Sequence, residues 1–251
     1  MGALHAGHAS LIRAARGTCD FVVVSIFVNP TQFGPNEDFA RYPRTFDADC
    51  ALATAAGADA IFAPSVEELY PAGAATFVEV EGLSSRLDGK SRPGHFRGVA
   101  TVVAKLLIAS EADLAFFGQK DAAQVAVLRR TVTDLRLPVQ IVVCPIVREP
   151  DGLALSSRNA YLSPAERVKA VALSRAIRQV EALVAAGERR ASVLIEWARK
   201  VFAAEPAIRV DYVELVDWDT LEPVTTATPG ALFALAAWVG ATRLIDNTVL
   251  P

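Results

Sequence analysis

The apolar residues of this chain fall in two rhythms. Short, nearly continuous apolar runs ("FVVVSIFV" over 21–28, "DAIFAP" over 59–64, "DLAFFG" over 113–118 and "VQIVVCP" over 139–145) alternate with stretches in which apolar positions recur every three or four residues. The runs are rich in β-branched and aromatic residues and several end at Asn-Pro, Pro or Gly, which predicts strands buried on both faces, as in parallel sheets. The amphipathic stretches 44–56, 99–110 and 121–135 predict the connecting helices, and "HASLIRAARG" predicts another near the start. Strand, helix and parallel strand in repetition describe an open, doubly wound α/β sheet. Ligands of such sheets sit beyond the carboxyl ends of the strands, so the loops after strands are where chemistry is expected.

After about residue 147 the rhythm changes. An Ala-rich helical region over 163–186, a second over 191–204 and three successive strand-like segments, "RVDYVELVD", "GALFALAAWV" and "ATRLIDNTVL", predict a smaller α+β domain. The expected division is an α/β domain over 1–147 and an α+β domain over 148–251.

At 251 residues the chain is long enough for two modest domains. Its formal charge of −3 supplies no bulk field that would gather nucleic acid or an anionic membrane, so neither is expected as a partner. Any anion must be held by local clusters. No apolar run reaches the ~20 residues of a membrane span and no signal-peptide layout is present. Cys19, Cys50 and Cys144 are odd in number and far apart, which suits reduced thiols in a cytoplasmic protein.

Four segments carry candidate chemistry. His5 and His8 flank Gly7 at a predicted helix start, where unpaired N–H groups and the helix dipole favour phosphate. The same histidines could be part of a zinc site with His95 in "GKSRPGHFRGV", but Lys90, Arg92 and Arg97 of that loop would repel a dication and suit a triphosphate or carboxylate instead. "FFGQKDAAQ" puts Lys120 after a buried strand and Asp121 at a helix N-cap position, and "LALSSRN" adds two hydroxyls and an arginine. In "VNPTQFGPNED", the amides of Asn29 and Gln32 either hold a small polar substrate or shape a turn around Pro30 and Pro35.

Taken in order, MGALHAGH, SIFVNPTQFGPNEDFARYPRT, SRPGHFRGV, FGQKDAAQ, VREPDGLALSSRN and LIDN make the chain resemble the pantothenate synthetase (pantoate–β-alanine ligase) family, within the wider H-x-G-H nucleotidyltransferases. The resemblance implies a Rossmann-like domain with a small C-terminal domain, in a cytoplasmic homodimer. It implies an ATP-dependent enzyme that joins pantoate to β-alanine through a pantoyl adenylate, releasing pyrophosphate and AMP, with Mg2+ accompanying ATP and no resident metal.

Residue by residue, the resemblance implies that Met1, Gly2, Ala3, Leu4, His5, Ala6, Gly7 and His8 line the ATP site, with His8 as proton donor and His5 beside the phosphates. Gln32 and Gln124 would hold pantoate, with Gln32 also near β-alanine and Asn29 counted with them. Gly118, Gln119, Lys120, Asp121, Val147, Leu155, Ser156, Ser157 and Arg158 would complete the nucleotide site, Lys120 joining the histidines in catalysis.

The chain departs from the family pattern in three places. Gln119 stands where Glu is usual, Ala122-Ala123 where an aromatic residue and glutamine are usual, and the family carries a strand ahead of the H-x-G-H loop. Without that strand the expectation is a sheet with unpaired edges. The opening loop would then be anchored by its own helix alone, through Leu4, Leu11 and Ile12, with a frayed first turn. The alternative functions are a weakly active or non-catalytic nucleotide-binding remnant and a zinc hydrolase.

Overall fold

The computed structural model describes every residue except Met1 and Asn36. The chain divides into two compact units, Met1–Gln119 with Ala123–Pro145, and Lys120–Ala122 with Ile146–Pro251.

The first unit runs α1 (Ala6–Arg16), β1 (Val23–Ser25), α2 (Phe46–Ala56), β2 (Ala60–Phe62), the single turns α3 (Val66–Leu69) and α4 (Asp88–Ser91), α5 (His95–Ser110), β3 (Leu114–Gly118), α6 (Ala122–Asp134) and β4 (Gln140–Cys144). Two parallel ladders form, β1 on β2 with Val24 opposite Ile61, and β3 on β4 with Phe116 opposite Val142. The expected α/β architecture with parallel strands is present, and among the described residues the four strands hydrogen-bond as two separate pairs. Helix α1 serves both. Its Ala9, Ile12 and Ala15 are buried with Val22, Val24 and Ile26 and with Ala53 and Ala56 of α2, and Phe116 of β3 packs on the same cluster.

Strand β1 covers only part of the apolar run 21–28, because a strand extends no further than its ladder and β2 supplies three residues. Helix α5 starts four residues ahead of the predicted 99. Gly94 takes φ +82, a left-handed conformation that glycine adopts freely, and Gly98 N–H then closes the first helical bond onto its carbonyl. His95, Phe96 and Arg97 therefore belong to a helix and not to the loop that the Pro-Gly pair suggested.

In the second unit the helical region after 163 is split at Val171 into α7 (Pro164–Ala170) and α8 (Ala172–Ala185), followed by α9 (Ala191–Ala203). Ser163 and Glu166 form a reciprocal capping box that sets the start of α7. An antiparallel meander follows: β5 (Ile208–Val216), β6 (Leu232–Val239) and β7 (Thr242–Val249), with β6 central. Leu173 and Ile177 of α8 and Leu194 and Phe202 of α9 share one core with Phe233 and Leu235 of β6. The three cysteines are free thiols, and no helix among the described residues is long and apolar enough to cross a membrane.

Candidate active site

The H-x-G-H segment closes on itself. His5 is the N-cap of α1, and its Nδ1 accepts the Gly7 N–H at 3.1 Å, while Nδ1 of His8 accepts the backbone N–H of His5 at 3.2 Å. The two rings lie 4.1 Å apart. Satisfying both ends of this capping box gives each side chain a tautomer: Nδ1 is the acceptor, so in the neutral ring the proton resides on Nε2. Two Nε2–H donors are thus presented from the start of a helix.

The anchoring of this loop corrects the expectation that its helix alone would hold it. Leu4 packs against the α1 core and Ile12 is buried within it. The first turn is secured by the capping box, and ahead of it Asp49 of α2 accepts the N–H groups of Ala3 and Leu4 at 2.9 and 2.7 Å. Gly2 is buried, Ala6 exposed, and Met1 lies outside the described residues.

After β1, Asn29 heads the single 3-10 turn Pro30–Gln32 and is only 2% exposed. Its Oδ1 accepts from the Thr31 N–H and hydroxyl and from the Tyr70 hydroxyl, while its Nδ2 donates to the Gly98 carbonyl and to Gln32 Oε1 at 3.1 and 3.2 Å. This geometry lets Asn29 shape the turn and orient Gln32. The main chain of Gln32 is held as well: its carbonyl accepts His95 Nδ1–H at 2.8 Å and an Arg92 N–H at 3.4 Å.

Arg92 corrects the picture of a cationic loop available to a triphosphate. It forks onto Glu37 with two 2.6 Å bonds and contacts His95 Nε2 at 2.9 Å, while Arg97 stacks over the Phe77 ring. Burial pushes the Glu37 carboxyl up, but the hydrogen bonds and charge of Arg92 outweigh it and leave the carboxyl below its ordinary value. Burial and the neighbouring Arg92 charge hold His95 down at about 4, against the pull of Gln32, Asp88 and Glu37. Both ring nitrogens of His95 serve protein partners, and no group of three His, Cys, Asp or Glu among the described residues is arranged for a metal ion.

Gly118 ends β3, and Gln119–Asp121 form a 3-10 turn that runs into α6, where the half-buried Gln124 lies. In the second unit Lys120 Nζ stands 3.7 Å from Asp121, and its carbonyl accepts Asn247 Nδ2 at 2.9 Å. The "LIDN" segment therefore braces the backbone of the lysine. Leu155 N–H donates to the Val147 carbonyl at 2.9 Å, and Ser156 caps the 3-10 turn Ser157–Tyr161 by accepting the Arg158 N–H at 3.2 Å. The predicted residues are thus gathered into groups, His5 with His8, Asn29 with Gln32, and Val147 with Leu155, each on a stated scaffold.

Asp49, Glu37 and Tyr70 escaped the sequence reading. An acid in a helix's first turn reads as a partner of the helix dipole. Nothing in spacing shows that Asp49 reaches residues 46 and 45 positions away.

The sequence model of the family described as Pantoate-beta-alanine ligase matches residues 1–249. The chain belongs to this family. A pantothenate synthetase of Acidobacterium capsulatum is 64% identical over 250 residues, which cover 100% of this chain and 84% of that protein. The crystal structure of a pantothenate synthetase from Thermus thermophilus superposes with a TM-score of 0.97 at 47% identity, covering 100% of this chain and 91% of that one. A pantoate-β-alanine ligase from Francisella tularensis, solved in complex with a β-γ ATP compound and β-alanine, gives 0.80 at 35% identity, covering 99% and 87%. As a pantoate–β-alanine ligase the chain is an enzyme, an ATP-dependent acid–amine ligase of pantothenate biosynthesis. The matches run through the whole chain, and the ligase family replaces the zinc hydrolase.

Proposed function

We propose that this ligase works in two steps. In the first, a carboxylate oxygen of pantoate attacks the α-phosphorus of ATP, the bond to pyrophosphate breaks, and pantoyl adenylate forms. Charge builds on the α-phosphate and on the leaving pyrophosphate, so preorganised donors and cations accelerate this step most. His5 and His8 are assigned to it through their Nε2–H groups, with His8 as the proton donor. Lys120, Ser156, Ser157 and Arg158 are assigned to the same charge. Gly2–Gly7, Gly118, Gln119, Asp121, Val147 and Leu155 are assigned to lining the rest of the nucleotide. Mg2+ is taken to arrive with the phosphates as part of the substrate.

In the second step the amine nitrogen of β-alanine attacks the acyl carbon, the bond to the AMP oxygen breaks, and the amine proton passes to solvent. Gln32 and Gln124 are assigned to pantoate, with Gln32 also serving β-alanine and Asn29 holding Gln32 in place. No covalent enzyme nucleophile is needed. The free thiols of Cys19, Cys50 and Cys144 suit the reducing cytoplasm in which we place the reaction.

The observation that carries this reading is the reciprocal His5–His8 capping box, which sets two donors at a helix N-terminus. Pantoate-dependent exchange of labelled pyrophosphate into ATP isolates the first step. His8→Ala should lower that exchange by about 10²- to 10³-fold, the usual loss for one transition-state donor, and His5→Ala by less. Unchanged exchange in both variants would overturn the assignment.

A further inference from the structure

Asp49 is 2% exposed, and among the described residues the groups bonded to its carboxylate are all neutral. Its Oδ2 accepts Ala3 N–H at 2.9 Å, and its Oδ1 accepts Leu4 N–H at 2.7 Å and the Thr45 hydroxyl at 3.0 Å. Ala3 adopts φ +51, a left-handed conformation that costs a residue with a side chain. A turn of that kind persists when its surroundings hold it, and two adjacent N–H groups on one carboxylate form strong, charge-assisted bonds. Beyond that turn the N–H groups of His5 and Gly7 are taken by the capping box. The direction in which both imidazoles point is therefore set by a chain of bonds that begins at α2.

We propose that Asp49 is a positioning residue for the adenylation step, fixing the backbone of Ala3 and Leu4 so that the Nε2–H groups of His5 and His8 are held where phosphate charge develops. The inference rests on the proposed two-step function. A buried carboxylate is a poor device for stability alone, since an apolar side chain in this packed region would avoid its desolvation. Two of its three bonds go to the loop, and its negative charge would repel a phosphate.

Asp49→Asn keeps the shape but turns an amide N–H toward a backbone N–H. Thr45→Val is the milder probe, removing only the hydroxyl on Oδ1. Asp49→Asn should lower pantoate-dependent pyrophosphate exchange by about 10²-fold, as misplacement of reacting groups by about 1 Å does, with Thr45→Val showing a smaller loss in the same step. The KM for pantoate and the rate at which β-alanine consumes supplied pantoyl adenylate should stay near wild type. The 15N shifts of the two imidazoles, characteristic of Nε2–H tautomers in the wild type, should move toward averaged values in Asp49→Asn. Wild-type exchange in Asp49→Asn, or a parallel fall of both steps in proportion to the unfolded fraction, would overturn the proposal. A wild-type protein without exchange would refute the two-step reading instead, and unchanged imidazole shifts in Asp49→Asn would then refute the clamp.

Discussion

Replacing Asp246 by asparagine should destabilise the second unit by an amount that its ion pair allows to be worked out. The Asp246 side chain is 1% exposed and accepts two bonds from Arg148, Nη1 to Oδ2 at 2.7 Å and Nη2 to Oδ1 at 2.9 Å. Burial lowers the Arg148 pKa, but the hydrogen bond and charge of Asp246, with the charge of Glu181, outweigh it and leave the group above its ordinary value. Removing one member of a buried pair typically costs ~3–5 kcal/mol, because the other charge is left uncompensated. Arg148 is 30% exposed and keeps a 3.1 Å bond to the Gly152 carbonyl, so part of its charge stays solvated and held. The asparagine also retains one acceptor for the guanidinium. These reductions place Asp246→Asn at about 2 kcal/mol.

All three tryptophans, Trp197, Trp218 and Trp238, lie in the second unit, so urea unfolding followed by their fluorescence reports on it. Arg148→Met and the double variant complete a cycle. The two losses should fall short of additivity by at least about 1 kcal/mol, as expected for residues in direct contact. Additivity within about 0.5 kcal/mol would refute the reasoning and show that water replaces the pair without penalty.

Two further outcomes follow from the first unit. The unfolded His95 imidazole takes its proton near the ordinary value of ~6.5, whereas the native one does so only at about 4. Its contribution to stability is complete above ~6.5, is lost as the pH falls through this window, and levels off below 4; the span corresponds to at most ~3.5 kcal/mol. Stability–pH curves of the wild type and His95→Gln should diverge between those limits, and parallel curves would refute the role of burial and Arg92. Gly98→Ala should disturb Gln32 selectively, because a Cβ there would sit 2.3 Å from the Thr31 carbonyl oxygen and 2.7 Å from Gln32 Cα. The turn must shift, so the KM for pantoate should rise about tenfold, worth ~1.4 kcal/mol, with the KM for ATP little changed; equal shifts in both would count against Gln32 as the pantoate contact.

Periodicity placed the longer helical stretches and the cores of the strands, because apolar spacing is a local property that each segment carries by itself. The local form of the H-x-G-H start and of the "VNPTQ" turn was likewise legible, since caps and turns are set at short range. What remained hidden depended on contacts between distant segments. The start of α5 turned on Gly94 taking a left-handed conformation that Pro-Gly more often reads as a loop. Arg92 looked like a phosphate ligand until Glu37, 55 positions away, was seen to claim it. Asn29 gave no sign in sequence that Tyr70 and the Gly98 carbonyl, far along the chain, would be its partners. Asp49 carried no signal at all, because a carboxylate in a helix's first turn is ordinary and its target is a backbone that any sequence would offer. Side-chain type thus determined which residues could do chemistry, whereas the competition of buried donors and acceptors for partners, which exists only once the chain has folded, decided which of them are already occupied.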